Sequence, residues 1–251
     1  MYFGDYHTHT TFSHGTGSVE DNVAFARSLG LKEIAITDHG FGHMTYAVKR
    51  RAFPAMREQA DRLNKKYGDI KVYVGLECNL ISSRGDIDLK EGEDKLLDVV
   101  VCGFHKGAYP KNFGQAFSFA VPNLWYSVTG KPSRKDIVRN TDAYIKMLEK
   151  HKIDIISHMN YAICADAVEV AKACKYFGTL VELNGKRVNL TDAEIEKMIE
   201  LDVDFILDSD AHSPGKVGDF SVPQAVVDRL HIPAERIANL DKKPVFRSRK
   251  K

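Results

Sequence analysis

The feature that most restricts what this chain can fold into is a regular alternation of two hydrophobic periods. Short strand-like runs, several of them dense in Val, Ile and Leu, fall at residues 4–9, 33–37, 72–77, 99–103, 153–157, 179–183 and 204–208. Such continuous apolar runs suit parallel strands covered on both faces. Between them lie stretches with a helical apolar stripe, at 19–29, 51–67, 134–151, 166–177 and 192–201. Ser133 and Thr191 stand where N-caps belong, and Gly30 and Gly178 where helices stop. Strand, helix, strand in succession implies right-handed crossovers and a parallel sheet. Seven strands in 251 residues point to one α/β domain, a barrel one strand short of eight. Residues 106–132 show no helical period and read as a long loop of aromatics, Gly, Pro and Lys. Residues 242–251, ending in RSRKK, read as a frayed basic tail.

Charge and composition exclude several classes. The 36 basic and 34 acidic residues nearly cancel, which argues against a surface built for nucleic acid or anionic lipid and leaves room only for a local basic patch. No apolar run approaches the roughly 18 residues a bilayer span needs, so no membrane partner is expected. The opening MYFGDYHTHT has neither the charged nor the apolar part of a secretion signal. Cys78, Cys102, Cys164 and Cys174 form no CxxC pair and read as reduced thiols. A cytoplasmic protein is the expectation.

The chemistry lies in where the histidines fall. Of ten, seven follow the end of a strand run: His7, His9, His14, His39, His105, His158 and His212. Glu77 ends the third run, and Asp210 follows the seventh. In a parallel barrel all these ends meet at one rim, where active sites of such folds sit. Side chains at i and i+2 of a strand share a side, so His7 and His9 can hold one ion together, as can Asp210 and His212. Imidazole with carboxylate suits Zn, Mn or Fe, whereas Ca or Mg would take mostly oxygen. Nine candidate ligands exceed the needs of one ion and point to two or three. A lone HxH carries little weight, since an isolated buried His is more often a hydrogen-bonded core residue; six strand ends each supplying a ligand type carry much more. His151 and His231 lie away from the rim and read as structural or solvated, and His43, in the loop after His39, as a substrate contact.

The stretches HTHTTFSH (7–14), TDHG (37–40), GLE (75–77), GFH (103–105), SH (157–158) and SDAHSPGKVG (209–218) together resemble the polymerase-and-histidinol-phosphatase (PHP) superfamily across nearly the whole chain, in its stand-alone small metallophosphatase branch. The resemblance implies a distorted (β/α)7 TIM-like barrel and a trinuclear site. It implies that His7, His9, Glu77 and Asp210 hold one ion, that Glu77, His105 and His158 hold a second with Glu77 bridging, and that His14, His39 and His212 hold a third.

The expected chemistry is hydrolysis of a phosphate ester. Bound metals bring a bridging water's pKa toward neutrality and absorb charge on the phosphoryl oxygens. Glu77, Asp210 and His212 are the catalytic candidates, with Asp210 orienting or deprotonating the nucleophile. Lys186, Arg187 and Lys106 offer a cationic clamp on the substrate, Arg in bidentate geometry. A small phosphorylated metabolite is the expected partner, with histidinol phosphate the best-known substrate of the resembled family. Oligomeric state is left open. The alternatives are a phosphodiesterase or exonuclease of the same superfamily, disfavoured by the absence of an extended basic surface, and a non-catalytic metal-binding regulator, disfavoured by the complete ligand set. A metallo-amidohydrolase also begins with HxH, but its usual bridge is a modified Lys where this chain has Glu77.

Overall fold

The computed structural model describes residues 1–249. Seven parallel strands pair in sequence order: β1 (Gly4–Thr8), β2 (Glu33–Ile36), β3 (Lys71–Asn79), β4 (Val99–Gly103), β5 (Ile155–Ile156), β6 (Leu180–Asn184) and β7 (Phe205–Asp208). Around them run α1 (Val19–Ser28), α2 (Phe53–Lys66), α3 (Phe113–Gln115), α4 (Val121–Thr129), α5 (Arg134–Lys150), α6 (Ala167–Phe177), α7 (Asp192–Glu200) and α8 (Ser221–Leu230). The sheet curls into a nearly closed, single-domain (β/α)7 TIM-like barrel, as the alternation of periods predicts. At the seam, Thr8 bridges Ala211, the His9 N–H donates to the Ala211 carbonyl at 2.8 Å, and the Asp208 carboxylate accepts the Tyr6 N–H at 2.7 Å. A side chain thus does part of the work of a missing strand, and the β1–β2 register shifts between Asp5 and Thr8.

Local signals in the sequence explain the element ends. Ser18 with Asp21, Ser133 with Asp136 and Thr191 with Glu194 form capping boxes that open α1, α5 and α7. Gly178 ends α6 at φ 74°, a conformation that costs glycine nothing.

The apolar residues divide between two compartments. The larger packs helices onto the outside of the sheet, and includes Val23, Met56, Leu76, Tyr144, Val170 and Leu207. The smaller fills the barrel, with Tyr6, Ala35, Tyr73, Val99, Val101, Ile155, Leu180 and Ile206 at inward positions. Phe246 completes this floor, 3% exposed with its ring 5.2 Å from Tyr6. The tail expected to fray is therefore docked through Ser248. Lys243 Nζ lies 2.6 Å from Glu33, and both the N–H and the hydroxyl of Ser248 donate to Asp154 at 2.7 Å. Residues 250 and 251 of that tail lie outside the described residues.

The 106–132 segment, expected to be a long loop, is mostly helical. From Phe113 the chain is helical, through α3, a π-helical turn at Ala116–Ala120 and α4, until Gly130 at φ 67°. The helical period is present after all, in Phe113, Phe117, Val121, Leu124, Trp125 and Val128, but these residues face outward. An apolar face turned to solvent does not look like a helix packed on a core. None of the four cysteines is in a disulfide, and Cys78, Cys102 and Cys174 are buried.

Candidate metal centre

Strand pleat decides which side chains reach the mouth of the barrel. Along β3, Tyr73, Gly75 and Glu77 alternate inward, so the apolar floor gives way to a carboxylate at the C-terminal end. Leu180, Glu182 and Asn184 repeat this on β6. Glu77 stands at the centre. Its Oε1 lies 2.6 Å from His158 Nε2, 3.1 Å from His105 Nε2 and 3.3 Å from His7 Nε2, while Oε2 lies 2.9 Å from His39 Nδ1 and 3.6 Å from His9 Nε2. Asp210 Oδ1 lies 3.2 Å from His9 Nε2 and 3.4 Å from His212 Nδ1. His14 adds its ring from the β1–α1 loop, 4.8 Å from the His39 ring and 4.1 Å from that of His212. All nine residues singled out from strand ends therefore meet, from His7 to His212.

Three sets have donor atoms mutually within 4.8 Å: His7, His9 and Asp210; His9, His39 and His212; His39, Glu77 and His105. The backbone is bent to achieve this, since His158 has φ 28° and Asp210 φ 50°. Left-handed conformations at non-glycine residues cluster at functional positions. Gly103 clears the ground beneath them. A Cβ there would collide with the Ser157 hydroxyl and lie 2.8 Å from His158 Cε1.

Burial sets the protonation states. It pushes His39 down to about 3 and His14 down to about 4, and holds His9 well below the ordinary imidazole range. Burial pushes His7 and His158 down as well, but Glu77 and Glu182 outweigh it and hold both above that range. Burial pushes Glu77 up, and the surrounding His105, His7, His39 and His158 reverse this and hold it well below the usual carboxylate range. Glu77, His9, His14 and His39 are thus in their ligand forms, ionised carboxylate and neutral imidazole, whereas His7 and His158 would release a proton on binding metal.

The donor set fits divalent metal ions on an independent ground. Nδ1 of His9, His14, His39 and His158 and Oε2 of Glu77 are buried without a hydrogen-bond partner; the 2.9 Å approach of His39 to Glu77 lacks hydrogen-bond geometry. Buried polar atoms without partners are rare because each costs free energy; the unpaired Glu77 Oε2 and His39 Nδ1, 2.9 Å apart within the cluster, are what a cation would satisfy. The mixture of nitrogen and oxygen donors suits Zn, Mn or Fe.

Several residues missed in the sequence hold this array from behind. Glu182 Oε1 lies 2.6 Å from His7 Nδ1, and its Oε2 accepts from the His158 N–H at 2.6 Å and from Asn184 at 2.9 Å. Asn79 Oδ1 lies 2.8 Å from His105 Nδ1. Asp38 accepts from the Thr10 N–H and hydroxyl, fixing the loop that carries His14. A buried acid inside the apolar run LVELN was the available signal for Glu182.

The expected substrate contacts line one cleft of about 460 Å³ over the cluster: His43, Lys106, Lys186 and Arg187, with Tyr46 and Tyr161 beside them. Lys186 Nζ lies 3.2 Å from Asp210 Oδ1 and 2.8 Å from His212 Nδ1. Tyr46 stacks on His14 with centroids 4.1 Å apart, and Tyr161 meets His158 edge-on at 5.2 Å. His151 closes the C-terminus of α5 and His231 that of α8, outside the cleft.

Barrel, rim and ligand array together define a metal-dependent hydrolase-type α/β barrel of the PHP class. The chain belongs to the PHP domain family, whose model matches residues 5–193. It is 29% identical to a protein named "Probable phosphatase" from Shewanella baltica, over 95% of this chain and 87% of that protein. It is 29% identical to another of that name from Clostridium novyi, over 98% of this chain and 93% of that one. The fold resembles histidinol phosphate phosphatase of Lactococcus lactis, solved with zinc, L-histidinol and phosphate, with a TM-score of 0.61 and 15% identity over 91% of this chain and 94% of that one. Among the described residues no helix is long and apolar enough to cross a membrane.

Proposed function

We propose that this protein is a metal-dependent phosphatase that hydrolyses small phosphomonoesters. The observation that carries the reading is the cleft itself, with His14, His39, His105, His158, His212, Glu77 and Asp210 in its lining, His7 and His9 buried in the same cluster, and the cations Lys106, Lys186 and Arg187 on its walls. Family membership and the shared name of the full-length relatives support it.

His7, His9 and Asp210, with Glu77, would hold one ion; Glu77, His105 and His158 a second; His39 and His212, with His14 or His9, a third. Two to three ions of Zn, Mn or Fe, when bound, supply Lewis acidity that acidifies water and neutralises phosphoryl charge. Asp210, between His9 and Lys186, is the group that orients the attacking water and takes its proton. Lys186 and Arg187 bind the non-bridging oxygens, and Arg187 in a fork restricts the phosphate to one orientation. His212, beside Lys186, stands next to the departing oxygen. Tyr46, Tyr161 and His43 pack against the organic part and keep water from the reacting groups.

A monoester dianion offers three terminal oxygens to these groups, and a diester only two with a second bulky substituent. Metal-reconstituted protein should therefore show greater kcat/KM on p-nitrophenyl phosphate than on its bis-ester, and lose activity on chelation. Equal or better diester turnover moves the reading to a phosphodiesterase. No turnover of either ester with metal bound moves it to a metal-binding regulator.

A further inference from the structure

We infer that the helical segment between β4 and α5 is a docking ridge that seats this protein on an anionic lipid bilayer, beside the mouth of its cleft. Phe113, Phe117, Val121, Leu124, Trp125 and Val128 follow helical spacing and lie on one face, with Phe113 80%, Trp125 68% and Val128 78% exposed. Contiguous apolar surface of this kind marks an interaction site on a soluble fold.

The opposite face of the same segment is tied to the barrel. Phe119 is buried with its ring 5.7 Å from Phe104, Asn123 Oδ1 accepts from Asn140 Nδ2 at 2.8 Å, and Gln115 Oε1 accepts from the Ser83 N–H at 2.8 Å. The ridge is therefore a fixed part of the fold with its apolar side outward. It leaves β4 through His105, so it stands at the end of the barrel that carries the cleft.

Charge selects the occupant. Five basic residues and no acidic residue fall between 104 and 135, so the remainder of the chain is net negative although the whole is +2. Lys111 precedes the ridge, and Lys131, Arg134 and Lys135 follow it. The acids that bound this stretch in sequence, Asp98 and Asp136, already face Arg57 and Arg139. A second copy docking through the same patch would bring this cationic border against itself. An anionic bilayer attracts it and accepts Trp and Phe at the headgroup level. The overall charge balance conceals this local basic patch. Among the described residues no helix is long and apolar enough to cross a membrane, and the ridge would attach at the bilayer surface.

The chain has a single Trp, Trp125, so intrinsic fluorescence reads the ridge directly. Metal-loaded protein mixed with phosphatidylcholine vesicles containing about a third phosphatidylglycerol should show a blue-shifted emission and co-sediment with them. Binding should weaken with added salt, and pure phosphatidylcholine should bind little. Phe117→Asp with Val128→Asp should lower partitioning at least about tenfold. Both positions are solvent-exposed, and unchanged p-nitrophenyl phosphate turnover in buffer would show that the variant is folded. Unshifted emission with no co-sedimentation overturns the proposal, whatever the activity. So does a blue shift that depends on protein concentration without vesicles, which assigns the ridge to a second copy. Equal binding to neutral vesicles overturns the role of the basic border.

Discussion

Glu182 shows how much of this site depends on side chains that need not touch a metal. It faces the far nitrogen of His7 and takes the backbone N–H of His158, so it orients two proposed ligands at once. Loss of such a partner typically costs 10–100-fold in metal affinity or activity. Glu182→Gln should therefore weaken metal binding by roughly that factor, with most turnover recovered at saturating metal, as a titration followed by assay would show. Glu77→Gln should behave differently. It removes charge from the carboxylate shared by His158, His105 and His39, so turnover should fall by at least about a hundredfold even with metal in excess. Near-normal turnover with metal retained would exclude Glu77 as a bridge. Arg187 lies outside the ligand array but lines the cleft. Arg187→Ala should lower monoester kcat/KM by roughly ten- to a hundredfold, the range of a hydrogen bond to a charged group, and leave metal content unchanged. Unchanged kinetics would make Arg187 a solvated loop residue.

Among the elements, the C-terminal segment and the 113–129 helices depart most from expectation. Phe246 reaches the barrel floor at the end opposite the histidine–carboxylate cluster, sealed there by Lys243 on Glu33 and Ser248 on Asp154. Its low hydrophobic content and basic ending hide this role, because one buried aromatic ring gives no periodic signal. Phe246→Ala should cost about 3–5 kcal/mol of stability, the range for a buried Phe, measured by denaturant unfolding. Turnover per folded molecule should stay the same, since floor and mouth are separated by the inward layer of Val101, Ile155 and Ile206. A loss of activity equal to the loss of stability would mean that the floor positions the mouth.

For the whole molecule, the same strand ends that build the site concentrate buried lone pairs without partners, so ligands and stability are coupled. Bound metal at about a hundred times its dissociation constant adds roughly 2.7 kcal/mol to the folded state. For a domain of this size each kcal/mol moves Tm by about 2–4 °C. Chelation should therefore lower Tm by roughly 5–10 °C, and added Zn or Mn should restore it, as scanning calorimetry would show. An unchanged Tm would argue that the cluster holds no metal in solution.

The sequence by itself determined the barrel class and the membership of the rim. Strand and helix have different hydrophobic periods, and in a parallel barrel every strand must end on the same side, so chemistry-bearing residues at strand ends had to converge. That logic reached His7, His9, His14, His39, Glu77, His105, His158, Asp210 and His212 without coordinates. Only tertiary structure decided what stands behind them. Glu182, Asn79 and Asp38 matter through partners far away in sequence, and no local period marks such a pairing. It also decided which way an amphipathic segment turns. The spacing of Phe113, Phe117 and Val121 is the same whether the apolar side meets a core or solvent, and the fold chose solvent because Phe119 and Asn123 already fill the inner side.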